Sequence, residues 1–150
     1  MTTRRVLATA LATAVVAAGF SLGFATPAWA DDFSGTYALN LVGASGGSHT
    51  SWTAHSACAP SGGCVAHVVS STGWSGDAQL VDGHWSMTVA RPDGQSCPDG
   101  SRHSESQTWS WDAGTLGGTV SGVSTDPMAC PQGPPNSFSL TKENIGGTPL

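Results

Sequence analysis

Positive charge is scarce in this chain. Of its five basic residues, Arg4 and Arg5 stand at the very start, which leaves Arg91, Arg102 and Lys142 for everything that follows. Beyond residue 30, three positive side chains face ten acids, a net charge of −7. That balance disfavours capture of nucleic acid or of an anionic membrane surface, and no nucleic-acid partner is expected. No run beyond the first 30 residues sustains a 3.6-residue hydrophobic period, so an amphipathic helical fold is excluded. Cysteine is missing before Cys58. A cleaved N-terminus would therefore carry no acceptor for a lipid, and a lipoprotein is excluded.

Catalytic and metal-binding signatures are missing as well. The chain has abundant Ser but no Gly-x-Ser-x-Gly elbow. The acids Asp77, Asp82, Asp93, Asp99 and Asp112 fall mostly in turn-like stretches, where backbone hydrogen bonding alone explains an Asp. No two cysteines have the two- to four-residue gap that a structural zinc site prefers. No metal, no cofactor and no enzymatic activity are expected from motifs alone.

What is present begins with an export signal. Arg4 and Arg5 form a positive start, Val6 to Ala25 is uncharged, and Ala28-Trp29-Ala30 places small residues around a cleavage point. Residues 1–30 read as a signal peptide. Gly19, Gly23 and Pro27 weaken the alternative of an uncleaved membrane helix, so no stable membrane anchor is expected after cleavage. Residues 31–150 then form one secreted domain, with about 143–150 as a loose tail.

Cys58, Cys64, Cys97 and Cys130 are even in number in an exported chain, which favours two disulfides. The Pro/Gly loop Ala59 to Gly63 lies between two strand-like runs and brings Cys58 to Cys64 at a hairpin mouth. Cys97 then pairs with Cys130.

The remaining sequence alternates with period two in run after run, giving an all-β domain. Tyr37, Leu39 and Leu41 share one face of the first strand, Trp52 and Ala54 one face of the second, and Trp85, Met87 and Val89 one face of a later one. Further strands are expected near 65–70, 78–81, 103–111, 116–124 and 137–141, eight in all. Short connections favour an antiparallel eight-stranded up-and-down barrel, with a β-sandwich as the alternative. Asp82-Gly83 is a two-residue hairpin turn that sets Leu80 opposite Trp85 and Gln79 opposite Ser86. A connection over Asp112 to Thr115 is expected to set Trp111 opposite Leu116 and Trp109 opposite Gly118. The two Pro-Asp-Gly triplets at Pro92 and Pro98 are expected to be turns.

Direct pairing of Cys58 with Cys64 also places His55 opposite His67 on the outward face. Two imidazoles without an evident third ligand read as a solvated pair rather than a metal site. The candidate ligand-binding residues are Tyr37, Trp52, Trp85, Trp109 and Trp111, with Glu105 and Gln107. The aromatics line a cavity or fill a core; filling is favoured because an eight-stranded interior is only just wide enough for side chains. Glu105 shares the inward face with Gln107, Trp109 and Trp111, and it is expected at the barrel mouth.

The landmarks Ser56-Ala57-Cys58, Gly63-Cys64-Val65-Ala66, Asp82-Gly83-His84-Trp85, Cys97-Pro98-Asp99, Trp109, Leu116 to Thr119, Cys130 and Phe138 to Lys142 follow one another in a characteristic order. In this order the chain resembles the extracellular sensor regions of certain mycobacterial membrane Ser/Thr protein kinases, and small secreted mycobacterial proteins similar to that region alone. The resemblance runs from about Gly35 to Lys142. It implies an exported two-disulfide module with a ligand-sensing role, and it carries over no kinase activity. The expected function is thus a secreted or envelope-associated, non-enzymatic barrel that binds a small ligand or a cell-envelope component. A small secreted hydrolase and a purely structural envelope protein are the alternatives.

Overall fold

The computed structural model describes residues 32–43 and 49–144. The expected signal peptide lies outside them. Eight strands follow in chain order: β1 (Gly35–Leu41), β2 (Thr50–Cys58), β3 (Cys64–Ser70), β4 (Ser75–Val81), β5 (His84–Ser96), β6 (Arg102–Asp112), β7 (Gly117–Ser124) and β8 (Asn136–Glu143). Each pairs antiparallel with the next, and β1 closes on β8 to make a barrel. The sheet thus has no free edge, and the sandwich alternative is excluded. Among the described residues no helix is long and apolar enough to cross a membrane.

Alternation builds the core directly. In β3 every second residue from Cys64 to Ser70 is buried, and in β5 the same holds for Trp85, Met87 and Val89. A pleated strand sends successive side chains to opposite faces, so one polar and one apolar series per strand is enough to fill the interior. The Asp82-Gly83 turn has both residues at positive φ, 50° and 79°, the conformation of a type I′ hairpin. It sets Leu80 opposite Trp85 and Gln79 opposite Ser86 as the turn chemistry requires.

Both disulfides form as expected, Cys58–Cys64 and Cys97–Cys130. The first joins directly facing residues of β2 and β3, in the register that also sets His55 opposite His67. His67 Nδ1 lies 2.7 Å from Asp77 Oδ1 on β4, and among the described residues no group of three or more His, Cys, Asp or Glu side chains is placed to hold a metal ion. The second disulfide ties the β5–β6 turn to the connection 125–135 between β7 and β8.

Two local expectations are corrected. Trp111, not Trp109, faces Gly118, and Trp109 faces Val120. The Asp112 carboxylate accepts from the N–H groups of Gly114 and Thr115, and the Leu116 N–H reaches back to the Asp112 carbonyl at 2.9 Å. This lengthens the connection, with Leu116 at φ 61°, and shifts the register by two residues while keeping Val120 on the buried face. The second correction concerns Pro92-Asp93-Gly94, which is no turn. It lies inside β5, where the pairing with β6 jumps between Arg91 and Gln95. Proline and glycine are tolerated within a strand at such a bulge. Pro98-Asp99-Gly100 does turn, with the Gly100 N–H bonded to the Cys97 carbonyl. Glu143 ends β8 and pairs with Thr36; residues 145–150, most of the expected tail, lie outside the described ones.

Candidate functional site

The expected ligand-binding residues separate into three groups along the barrel axis. Trp52, Trp109 and Trp111 occupy the middle, ring against ring. Trp52 meets Trp109 and Trp111 edge to face at 5.1 and 5.5 Å between centroids, and Phe138 closes on all three. Edge-to-face contacts of this kind stabilise aromatic pairs beyond their buried area. The indole Nε1 atoms of Trp52, Trp109 and Trp111 are buried without a hydrogen-bond partner.

Tyr37 and Trp85 sit toward one end. There Phe33, which precedes β1, stacks on Tyr37 at 4.5 Å and leans on Trp85 and Trp111. A depression of about 260 Å³ lies over this cluster, walled by Asp32, Phe33, Tyr37, Trp85, Leu116 and Lys142. Lys142 places its ammonium 5.8 Å from the Tyr37 ring, and burial pushes the Tyr37 hydroxyl above its ordinary pKa, with a further push from Asp32.

Glu105 and Gln107 face the opposite end. They line a polar cleft of about 230 Å³ together with Gly94, Gln95, Val120, Gly122, Gln132 and Asn136. Parity along β6 places them there, since Glu105, Gln107, Trp109 and Trp111 alternate inward. The bulge in β5 supplies Gln95, and glycines let the backbone come close. A Cβ at Gly94 would meet Glu105 Cγ at 2.7 Å, and one at Gly122 would meet Glu105 Cδ at 2.8 Å. The connection 125–135 roofs the cleft. Gln95 donates through Nε2 to the Cys130 carbonyl at 2.8 Å. Gln132 donates to the Gly122 carbonyl at 2.8 Å and accepts from the Ser124 N–H at 2.7 Å.

The electrostatics of this cleft are one-sided. Glu105 is only 8% exposed, and its carboxylate accepts from Gln107 Nε2. Among the described residues no cationic side chain lies within ion-pair distance of it. Arg91 pairs with Glu105 along the backbone but carries its guanidinium over the Trp74 ring, 5.7 Å away. Arg102 spends its guanidinium on the Asp93 carbonyl. Gln95 and Gln107 donate their amide N–H groups to the protein, and their Oε1 atoms are buried without hydrogen-bond partners. Among the described residues the lining thus holds one carboxyl group, that of Glu105, and no cationic side chain.

Sequence reasoning located Glu105 and Gln107 by strand parity and missed Gln95, Gln132, Trp74 and Phe33. Gln95 is turned inward by a bulge, and Gln132, Trp74 and Phe33 lie outside the strands, where alternation carries no information. No protein-family model, no curated protein and no solved structure matches this chain.

Proposed function

We propose that this chain is an exported, disulfide-stapled binding module whose Glu105 cleft takes a small organic cation bearing several N–H donors, an ammonium or guanidinium compound. The observation that carries this reading is the buried Glu105 carboxylate with one uncharged partner. Burying a carboxylate without a cation costs roughly several kcal/mol. A ligand that brings a positive charge to Glu105 offsets that cost. The cleft's size matches a metabolite rather than a drug-sized molecule. Two disulfides are compatible with an oxidising compartment, and the Arg4 to Ala30 pattern supports export. A sensing role at the cell envelope rests on the likeness to the kinase sensor regions.

Thermal shift and calorimetric titration of the oxidised chain from Asp31 onward, with arginine, agmatine and ethanolamine against acetate and glucose, test the reading. The cations are expected to raise the melting temperature and the others not; at one hundred times Kd the gain is about 2.7 kcal/mol. Glu105→Gln should remove the effect while leaving the circular dichroism spectrum unchanged. Binding that persists in Glu105→Gln, or failure of every cation, overturns it.

A further inference from the structure

We infer that Ser101, His103 and Asp126 form a nucleophile, a base and an orienting group that accept an acyl group from small activated esters, at a place apart from the Glu105 cleft. Ser101 Oγ lies 2.9 Å from His103 Nε2. On the far side of the ring, His103 Nδ1 lies 2.8 Å from Asp126 Oδ2. Nucleophile, base and orienter in hydrogen-bond sequence are the geometric signature of serine hydrolases on unrelated folds, whatever their order in the chain.

Each member is held by structure. Ser101 ends the turn between β5 and β6, His103 is the second residue of β6, and Asp126 follows β7 on a connection pinned by the Cys97–Cys130 disulfide. Asp126 Oδ1 accepts from the Met128 N–H at 2.9 Å, so both carboxylate oxygens are committed. Its hydrogen bond with His103, followed by that from Met128, keeps it below the ordinary carboxylate pKa. An ionised carboxylate only accepts, which places a proton on Nδ1; the Ser101 hydroxyl, when turned to the ring, then donates to Nε2. The His103 side chain is 14% exposed, and Ser101 is half-buried as well.

Asp99 regulates the nucleophile by competition. Its Oδ1 accepts from the Ser101 N–H at 3.0 Å and from the Ser101 hydroxyl at 2.5 Å. The single hydroxyl proton goes either to Asp99 or, after rotation about the Cβ–Oγ bond, to His103 Nε2, and only the second orientation is reactive. Reaction then proceeds with Oγ forming a bond to the acyl carbon as its proton passes to Nε2. The leaving alkoxide or phenolate departs with that proton; a water then passes a proton to Nε2 as its oxygen bonds the acyl carbon, and the acyl–Oγ bond breaks as Nε2 returns the proton to Oγ, giving the carboxylic acid and free Ser101. With its own N–H committed to Asp99, Ser101 contributes no oxyanion donor, so the substrates are esters with good leaving groups.

Oxidised protein from Asp31 onward, treated with a fluorophosphonate probe and mapped by mass spectrometry, tests the assignment. An adduct on Ser101 is expected, absent in Ser101→Ala and at least tenfold slower in His103→Gln. Asp99→Asn keeps the turn acceptor but weakens the competition, and should label several-fold faster, an acceleration that a merely structural Asp99 would not give. Asp126→Ala should slow labelling and Asp126→Glu recover part of it. No adduct on Ser101, or a rate indifferent to His103, overturns the proposal. Circular dichroism of each variant separates loss of chemistry from loss of fold.

Discussion

Asp126 carries more than a single contact. It holds His103 with one oxygen and the Met128 N–H with the other, and both bonds favour the ionised form. Asp99 and Asp112 are lowered in the same direction, Asp99 chiefly by the Ser101 hydroxyl and Asp112 by the Thr115 and Gly114 N–H groups. A carboxylate whose folded-state pKa is depressed binds fewer protons than in the unfolded chain. Its stabilisation is present above the unfolded value, 3.8, and is lost as pH falls through the folded one. Melting temperature is therefore expected to drop as pH falls below about 4, and Asp126→Asn should show a shallower drop, measured by calorimetry between pH 6 and 2. An identical slope in that variant would show that the His103 and Met128 bonds do not survive in solution. Residues of this kind were partly legible. The turn role of Asp99 and Asp112 follows from sequence, but Asp126 meets His103 only because the connection after β7 returns over the start of β6.

Between elements, the registers that follow from turn chemistry were readable and those that depend on a longer connection were not. Asp82-Gly83 and the Cys58 to Cys64 loop each fix a hairpin through φ preference or covalent closure, and every facing pair inferred from the latter is present. From β6 to β7 the same logic failed, because Leu116 takes a left-handed φ that its residue type does not advertise. What specifies that register is steric. A Cβ at Gly118 would lie 2.1 Å from the Ser110 carbonyl oxygen and 2.7 Å from Trp111 Cβ, so only glycine admits Trp111 beside it. Gly118→Ala is expected to lower stability by about 1–3 kcal/mol in a urea titration, the range for forced overpacking. Gly133→Ala, where a Cβ meets nothing within 4 Å, should stay within about 0.5 kcal/mol of the parent. Equal midpoints for the two variants would refute the steric origin of the register. Likewise the bulge at Pro92-Asp93-Gly94 could not be told from a turn by composition, and with it Gln95 and half the cleft wall stayed hidden.

At the scale of the molecule, the two disulfides hold different things. Cys58–Cys64 joins residues already paired across a hairpin, so in the folded state it adds little that the strand ladder does not provide. Cys97–Cys130 fastens the connection 125–135 across the barrel end, alongside Gln95 to the Cys130 carbonyl and His103 to Asp126. Loop-closure entropy gives about 2.4 kcal/mol for the short loop and about 3.8 for the long one. Both double Cys→Ala variants are therefore expected to lose stability, the second more than the first. Their local consequences should diverge further than their stabilities. Without Cys97–Cys130, amide exchange at Met128, Ala129 and Cys130→Ala should rise toward that of open chain, and binding in the Glu105 cleft should weaken because its roof is no longer fixed. Without Cys58–Cys64, exchange in 125–135 and binding should match the parent under conditions where both remain folded. Hydrogen exchange read by mass spectrometry resolves the two, since local opening is seen below the free energy of global unfolding. If both variants loosen 125–135 equally, the segment is held by overall stability and the roof has no fastening of its own.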